Sequence, residues 1–246
     1  MISRSALAGI GSARESAEAI DLMELACRRA MDDAGIDARD LVAVLVPTGT
    51  WPYQDPGREL ARRLGASRSL SVLGQLGISQ QGLINAGLEM LAESDGAVIV
   101  VGGESRRWSS DPATYVALDG QPDRVLERPD AFVHDLEISA GLAFPAVRSY
   151  ALIERAASAR QGLSDEQATA LDAELWSRLS AIAASRPDGL VDEAVEADAI
   201  AGGERNRMLA APYRRLHASQ WTVDQAAALV LVGPNFARSL EPSALV

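Results

Sequence analysis

The side chains able to act as nucleophiles, bases or metal ligands are few in this sequence. There is one cysteine, Cys27, and there are two histidines, His134 and His217. All 23 basic residues are arginine. Without lysine there is no Schiff base, no lysine-bound pyridoxal phosphate and no P-loop lysine. One cysteine and two histidines fall short of the clustered sets that hold structural zinc. A lone cysteine closes no internal disulfide, which agrees with a reducing compartment and makes the cytoplasm the default location. Cys27 falls on the apolar face of a helix, where a thiol packs as a small hydrophobe. His134 lies in the segment Phe132–Glu137, and His217 closes Tyr213-Arg214-Arg215-Leu216-His217. Either imidazole can serve as a general base, and a structural or exposed role competes in both cases. Ser79 has no base near it in sequence and stands where a helix opens, which suits an N-cap. Trp51-Pro52-Tyr53 forms an aromatic loop that either anchors the chain or packs on a ligand.

Two glycines carry a clearer message. Gly102 and Gly103 end an apolar run, where the backbone must pass close to something. Glu104 and Ser105 follow at the carboxyl end of that run, the place where open parallel sheets bind ligands.

The elements that position these residues follow from periodicity. Ser16–Ala34 reads as a helix with Ile20, Met23, Cys27, Ala30, Met31 and Ala34 on one face, stopped by Gly35. Leu41–Val46 is a continuous apolar run ended by Pro47, as in a buried strand. Asp55 caps a helix that has Pro56 at its first position and Gly65 beyond its end. Ser69–Leu73 is a short strand. Ser79–Glu93 is a helix apolar over much of its circumference, which implies burial on more than one side. Gly96–Val101 is another strand. Alternation of this kind argues for a mainly parallel sheet with helices on its faces. From Glu104 to about Ala218 the pattern breaks into a polar stretch with one clear long helix. That helix opens on a Ser164/Gln167 capping box and has its stripe at Leu171, Leu175, Leu179 and Ile182. A stretch this long is a functional excursion rather than an ordinary connection. A last strand, Gln225–Val232, is halted by Gly233-Pro234.

At 246 residues the chain fits one large domain, with or without an insertion. The net charge of −11 argues against binding nucleic acid through bulk electrostatics. An anionic ligand needs a local cluster among the arginine pairs 28–29, 62–63, 106–107 and 214–215, whose ordinary place is a solvated face. No apolar run is long enough to cross a bilayer, and Met1–Ile10 lacks the layout of a secretion signal. No Gly-x-Gly-x-x-Gly follows the first of these strands, which leaves a dinucleotide-binding domain remote.

These pieces resemble the thiolase superfamily. Thiolases carry a strand ending in a Gly-Gly-x-Glu-Ser-like turn, and here Val98–Ser105 reads Val-Ile-Val-Val-Gly-Gly-Glu-Ser. The closing strand of their N-terminal half reads Asp-Gly-Ala-Ala-Ala-Leu, and here Asp224–Leu229 reads Asp-Gln-Ala-Ala-Ala-Leu. The likeness spans nearly the whole chain. It extends to actinobacterial thiolase-like proteins labelled acetyl-CoA acetyltransferase, which carry Gly-Asn-Ser-Pro-Gln before Leu-Val-Asn where the thiolase cysteine would stand. Here Gly77–Asn85 reads Gly-Ile-Ser-Gln-Gln-Gly-Leu-Ile-Asn, and Pro212-Tyr213 matches their Pro-Tyr pair.

The resemblance implies an α/β, thiolase-like N-terminal half over residues 1–246, with a loop region inserted at 104–218. It implies a mainly parallel five-stranded sheet with helices on both faces. The nucleophile position aligns near Gly77, and glycine forms no thioester. Gly102, Gly103 and Gln81 are then substrate-binding positions, with His217 and Ser79 as the catalytic candidates. The substrate is a coenzyme A thioester, with no tightly bound cofactor and no metal. A full thiolase has a second half with further catalytic groups, so a partner is expected. It is a separately encoded C-terminal half, a small OB-fold protein, or a second copy of this chain, in a homo- or hetero-oligomer with neither membrane nor nucleic acid. Three roles stay open: a subunit of an enzyme that makes or breaks a carbon–carbon bond beside a thioester, a non-catalytic acyl-CoA-binding or scaffold subunit, and a truncated pseudo-enzyme.

Overall fold

A computed structural model describes residues 5–128, 135–141, 146–187, 189–204, 206–220 and 222–237. The chain divides into two compact units, 1–129 with 222–246, and 130–221.

The first unit is built on a six-stranded sheet. In chain order its elements are β1 (Ala6–Arg14), α1 (Ala19–Ala34), β2 (Leu41–Pro47), α2 (Pro56–Leu64), β3 (Leu70–Gly74), α3 (Gln80–Glu93), β4 (Ala97–Ser105) and β5 (Arg124–Leu126). The second unit follows, with α4 (Asp135–Ser139), α5 (Val147–Arg160), α6 (Asp165–Ala184), α7 (Ala197–Ala201), β6 (Met208–Ala210) and β7 (Tyr213–Arg214). The chain returns to the sheet with β8 (Asp224–Val232) and ends its described part in α8 (Pro234–Ala237).

The strand order is β1-β8-β4-β2-β3-β5. β4, β2, β3 and β5 run parallel to one another, while β8 is antiparallel to both β4 and β1. The sheet is α/β and mainly parallel, as the sequence implies, with six strands where five were expected. β1 is hidden in the sequence by Gly9 and Gly11, because glycine weakens a strand pattern. The same glycines let α1 lie close: a Cβ would stand 2.3 Å from the Ala30 carbonyl oxygen at Gly9, and 2.2 Å from that of Ala26 at Gly11.

Each central strand feeds both faces. Val44 and Val46 of β2, with Ile99 and Val101 of β4, pack under α1 and α2. Ala43, Leu45, Val98 and Val100 point the other way, toward α3. A strand buried on both sides needs apolar residues at every position, which is why these read as continuous runs. α2 begins and ends where its residues demand: the Arg58 N–H donates to Asp55 at 3.0 Å, and Gly65 takes φ 84°. α1 starts at Ala19 rather than Ser16. Glu18, just before it, accepts the Tyr53 O–H and the Val116 N–H, both at 2.7 Å.

In the second unit two long helices appear, α5 and α6, where the sequence suggested one. The capping box of α6 forms as expected, Gln167 N–H to Ser164 Oγ at 3.2 Å and Ser164 N–H to Gln167 Oε1 at 2.9 Å. Its leucine stripe does not face a core: Leu171, Leu175, Leu179 and Ile182 are 53, 52, 44 and 58% exposed. The helix buries Ala168 and Ala173 instead.

Candidate functional site

Because β2, β3 and β4 are parallel, their carboxyl ends share one edge of the sheet, where open α/β sheets take ligands. Pro47 and Gly74 are paired at that edge. The N–H and hydroxyl of Thr48 both donate to the Gly74 carbonyl at 2.8 Å. Gln75 N–H then donates to the Leu126 carbonyl at 3.0 Å, and Ile78 N–H to the Gln75 carbonyl at 3.0 Å, closing a tight turn before α3. Gly77 sits in this turn at φ 104°, a conformation that favours glycine over any L side chain. Ser79 caps α3, its hydroxyl accepting the Gly82 N–H at 3.0 Å. Gln81 is exposed and donates to Asn85 Oδ1 at 2.8 Å.

The Gly102–Gly103 step joins the same edge from β4. A Cβ at Gly102 would stand 3.1 Å from Pro47, and one at Gly103 would stand 2.9 Å from both Ala226 and Met23. The Gly103 carbonyl accepts the Trp51 indole N–H at 3.0 Å. Glu104 accepts the Thr50 N–H at 3.0 Å and also the Thr50 hydroxyl. These bonds pull the aromatic loop inward: Trp51 and Tyr53 are buried and stacked with ring centres 4.8 Å apart. The loop is an anchor. Asp224, buried at the start of β8, accepts the N–H groups of Arg107 at 2.9 Å and Trp108 at 2.7 Å. Sequence reading passed over Asp224 and Glu18 as fixing residues; the only signal for Asp224 is a carboxylate at the head of a buried strand.

Cys27 is fully buried on α1, and burial pushes its thiol far above the usual range, with Glu24 adding to the effect. A thiol held protonated is a poor nucleophile. The arginine pairs of α1 and α2 serve structure: Arg63 bonds Glu59 at 2.7 Å and Asp21 at 2.6 Å, and Arg28 bonds Glu24 at 2.7 Å.

His217 belongs to the second unit. Its Nδ1 accepts the Arg214 N–H at 3.1 Å, so the neutral ring carries its proton on Nε2. The ring meets Trp176 edge-on at 6.2 Å and lies 5.9 Å from Tyr213. Burial holds its pKa below the ordinary 6.5, and the Arg214 charge pushes the same way. His217 is therefore expected to titrate below 6.5 and to be neutral at pH 7. A ¹⁵N NMR titration checks this, and a midpoint above 6.5 contradicts it. His134 lies outside the described residues. Among the described residues no three His, Cys, Asp or Glu side chains converge as a metal site would require, and no helix is long and apolar enough to cross a membrane.

No protein-family model and no curated protein matches the sequence. Solved structures do match. A monomeric SCP2-thiolase-like protein, type 1, from Mycobacterium smegmatis is 25% identical with a TM-score of 0.70, over 97% of this chain and 47% of that one. The Ltp2–ChsH2(DUF35) aldolase is 18% identical with a TM-score of 0.66, over 97% of this chain and 58% of that one. Acetyl-CoA acetyltransferase from Syntrophomonas wolfei is 17% identical with a TM-score of 0.52, over 98% and 68%. The chain spans about half the length of the first two of these.

Proposed function

The fold is that of the thiolase superfamily, and from that premise we propose that the chain is an acyl-CoA-handling subunit of a thiolase-like enzyme, completed by a partner chain. The observation that carries the reading is the turn before α3. It lies at the carboxyl edge of three parallel strands and holds Gly77, with which the resemblance aligns the thiolase nucleophile, at φ 104°. Carbon–carbon chemistry beside a thioester then runs without an acyl-enzyme on this chain, as a retro-aldol or Claisen-like step. The bases and oxyanion donors come largely from the partner. Gly102, Gly103 and Gln81 line the thioester, which is a substrate rather than a resident cofactor. A reducing, cytoplasmic setting fits the single buried cysteine.

Support for a partner comes from the α3 side of the sheet. Gly9 and Gly11 face α1, so strand alternation turns Ile10 to the α3 side, where it is 57% exposed. Leu76, just before α3, is 72% exposed, and Ile84, Leu88 and Met90 of α3 are half-buried. An apolar face of this kind marks an interface. A separately encoded thiolase C-terminal half, or a small OB-fold protein, is the occupant this reading favours. The aldolase neighbour, Ltp2–ChsH2(DUF35), itself carries two component names.

A non-catalytic acyl-CoA-binding subunit is the second reading, favoured by Ser79, whose hydroxyl is engaged as a helix cap. Co-expression with the neighbouring genes, pull-down, then acyl-CoA binding and turnover by the captured complex separate the two. Turnover supports the enzyme, and binding without turnover supports the second reading. Loss of both binding and capture overturns the proposal.

A further inference from the structure

The second unit holds an open cleft of about 930 Å³. Its walls and floor come from α5, α6 and the segment around β7. Two carboxylates line it, Glu154 and Asp172, among the rings of Trp176, Tyr213 and His217. The Tyr213 hydroxyl donates to Glu154 Oε2 at 3.1 Å, fixing that carboxylate against the ring. Asp172 Oδ2 is buried with no hydrogen-bond partner among the described residues. An unpaired acceptor of this kind is costly to keep.

We propose that this cleft binds an organic cation, an ammonium or guanidinium group carried on an apolar stem. A cation over the faces of Trp176 and Tyr213 gains from their ring quadrupoles. Its charge is drawn by Glu154 and Asp172, its N–H groups can donate to carboxylate oxygens that reach the cleft, and Leu175 and Leu209 line the space for the stem. Arg148 and Arg207 also line the cleft, and both are exposed residues. The charge that Asp172 feels is that of Glu154: burial raises its pKa first, and repulsion from Glu154 raises it further. Burial, the hydrogen bond to Glu154 and the charges of Glu154 and Asp172 push the Tyr213 hydroxyl up to about 12. Glu154 and Asp172 therefore repel each other, and a cation between them relieves that repulsion.

The proposal gives a pH dependence with a definite sign. The charged and titratable groups that line the cleft with Asp172 are Glu154 and Tyr150 from α5, Tyr213 and His217 from the β7 segment, and the exposed Arg148 and Arg207. Protonation of Asp172 removes its negative charge, so cation binding weakens as pH falls through its raised pKa.

The test is an NMR titration of the purified chain, read at the Trp176 indole N–H. The probes are n-butylammonium, Nα-acetylarginine amide and n-butanol, the last being the uncharged match of the first. Saturable shifts with the two cations, and binding of n-butanol weaker by about tenfold, are expected. The double variant Glu154→Gln/Asp172→Asn weakens the cations by about tenfold or more. Lowering the pH from 7 to 4.5 on the unmodified chain weakens them too, an arm that does not depend on the variant folding. Tighter binding of the arginine amide assigns the cleft to a peptide side chain, and tighter butylammonium assigns it to a small amine. Equal binding of n-butanol, no saturable shift, or indifference to pH overturns the proposal.

Discussion

Gly103→Val is expected to lower the stability of the first unit by about 3 kcal/mol, read as a shift of the urea midpoint. The reason is crowding at a point where three elements meet. A Cβ at Gly103 would lie 2.9 Å from Ala226 of β8 and 2.9 Å from Met23 of α1, with the Gln225 carbonyl at 3.3 Å. Met23 has a flexible stem and can give. Ala226 cannot, because Gly103 and Ala226 are register partners in the ladder between β4 and β8. Gly102→Ala makes a milder companion: its Cβ would meet only Pro47, at 3.1 Å, and a loss under about 1 kcal/mol is expected. If Gly103→Val leaves the midpoint unchanged, the packing account of this glycine pair is wrong. The result also bears on function, because activity lost in Gly103→Val together with the fold says nothing about substrate contact.

The second large effect is expected at the α3 face. Ile10→Glu with Leu76→Glu places two carboxylates on a surface the proposed partner covers. Both side chains are mostly exposed, so the chain alone is expected to keep its stability to within about 0.5 kcal/mol for each change. Capture of the partner is expected to weaken about 100-fold, because a buried, unpaired charge at the centre of an interface is poorly tolerated. Undiminished capture by the double variant places the partner elsewhere.

Much of the first unit was legible because its signals are local. Asp55, Pro56 and Gly65 bracket α2 as capping chemistry requires, and Ser79 opens α3. The double-sided burial of β2 and β4 forced continuous apolar runs that no exposed segment would keep. β1 was not legible, since its two glycines erase the strand pattern for the sake of close packing with α1. In the second unit periodicity misled: the apolar stripe of α6 is outward-facing, and alanines make its buried contacts. A stripe shows that a helix has two faces but not which neighbour the apolar face meets.

The candidate site divides in the same way. Gly77, Ser79 and Gln81 are contiguous in sequence, so their common turn was visible. That Gly102 joins them at the sheet edge beside Pro47 follows from strand order, which one sequence does not reveal. His217 was singled out as a base with Tyr213 beside it in sequence, whereas Trp176 of α6, against the His217 ring, and Glu154 of α5, bonded to Tyr213, come from separate segments that only folding brings together.

The most direct measurement is native mass spectrometry of the chain purified with its co-expressed partner after incubation with an acyl-CoA. The account predicts a complex of two different chains that carries acyl-CoA without a covalent bond. It predicts no acyl adduct on Cys27, whose buried thiol stays protonated. A lone chain with no acyl-CoA bound, or a thioester on Cys27, contradicts it.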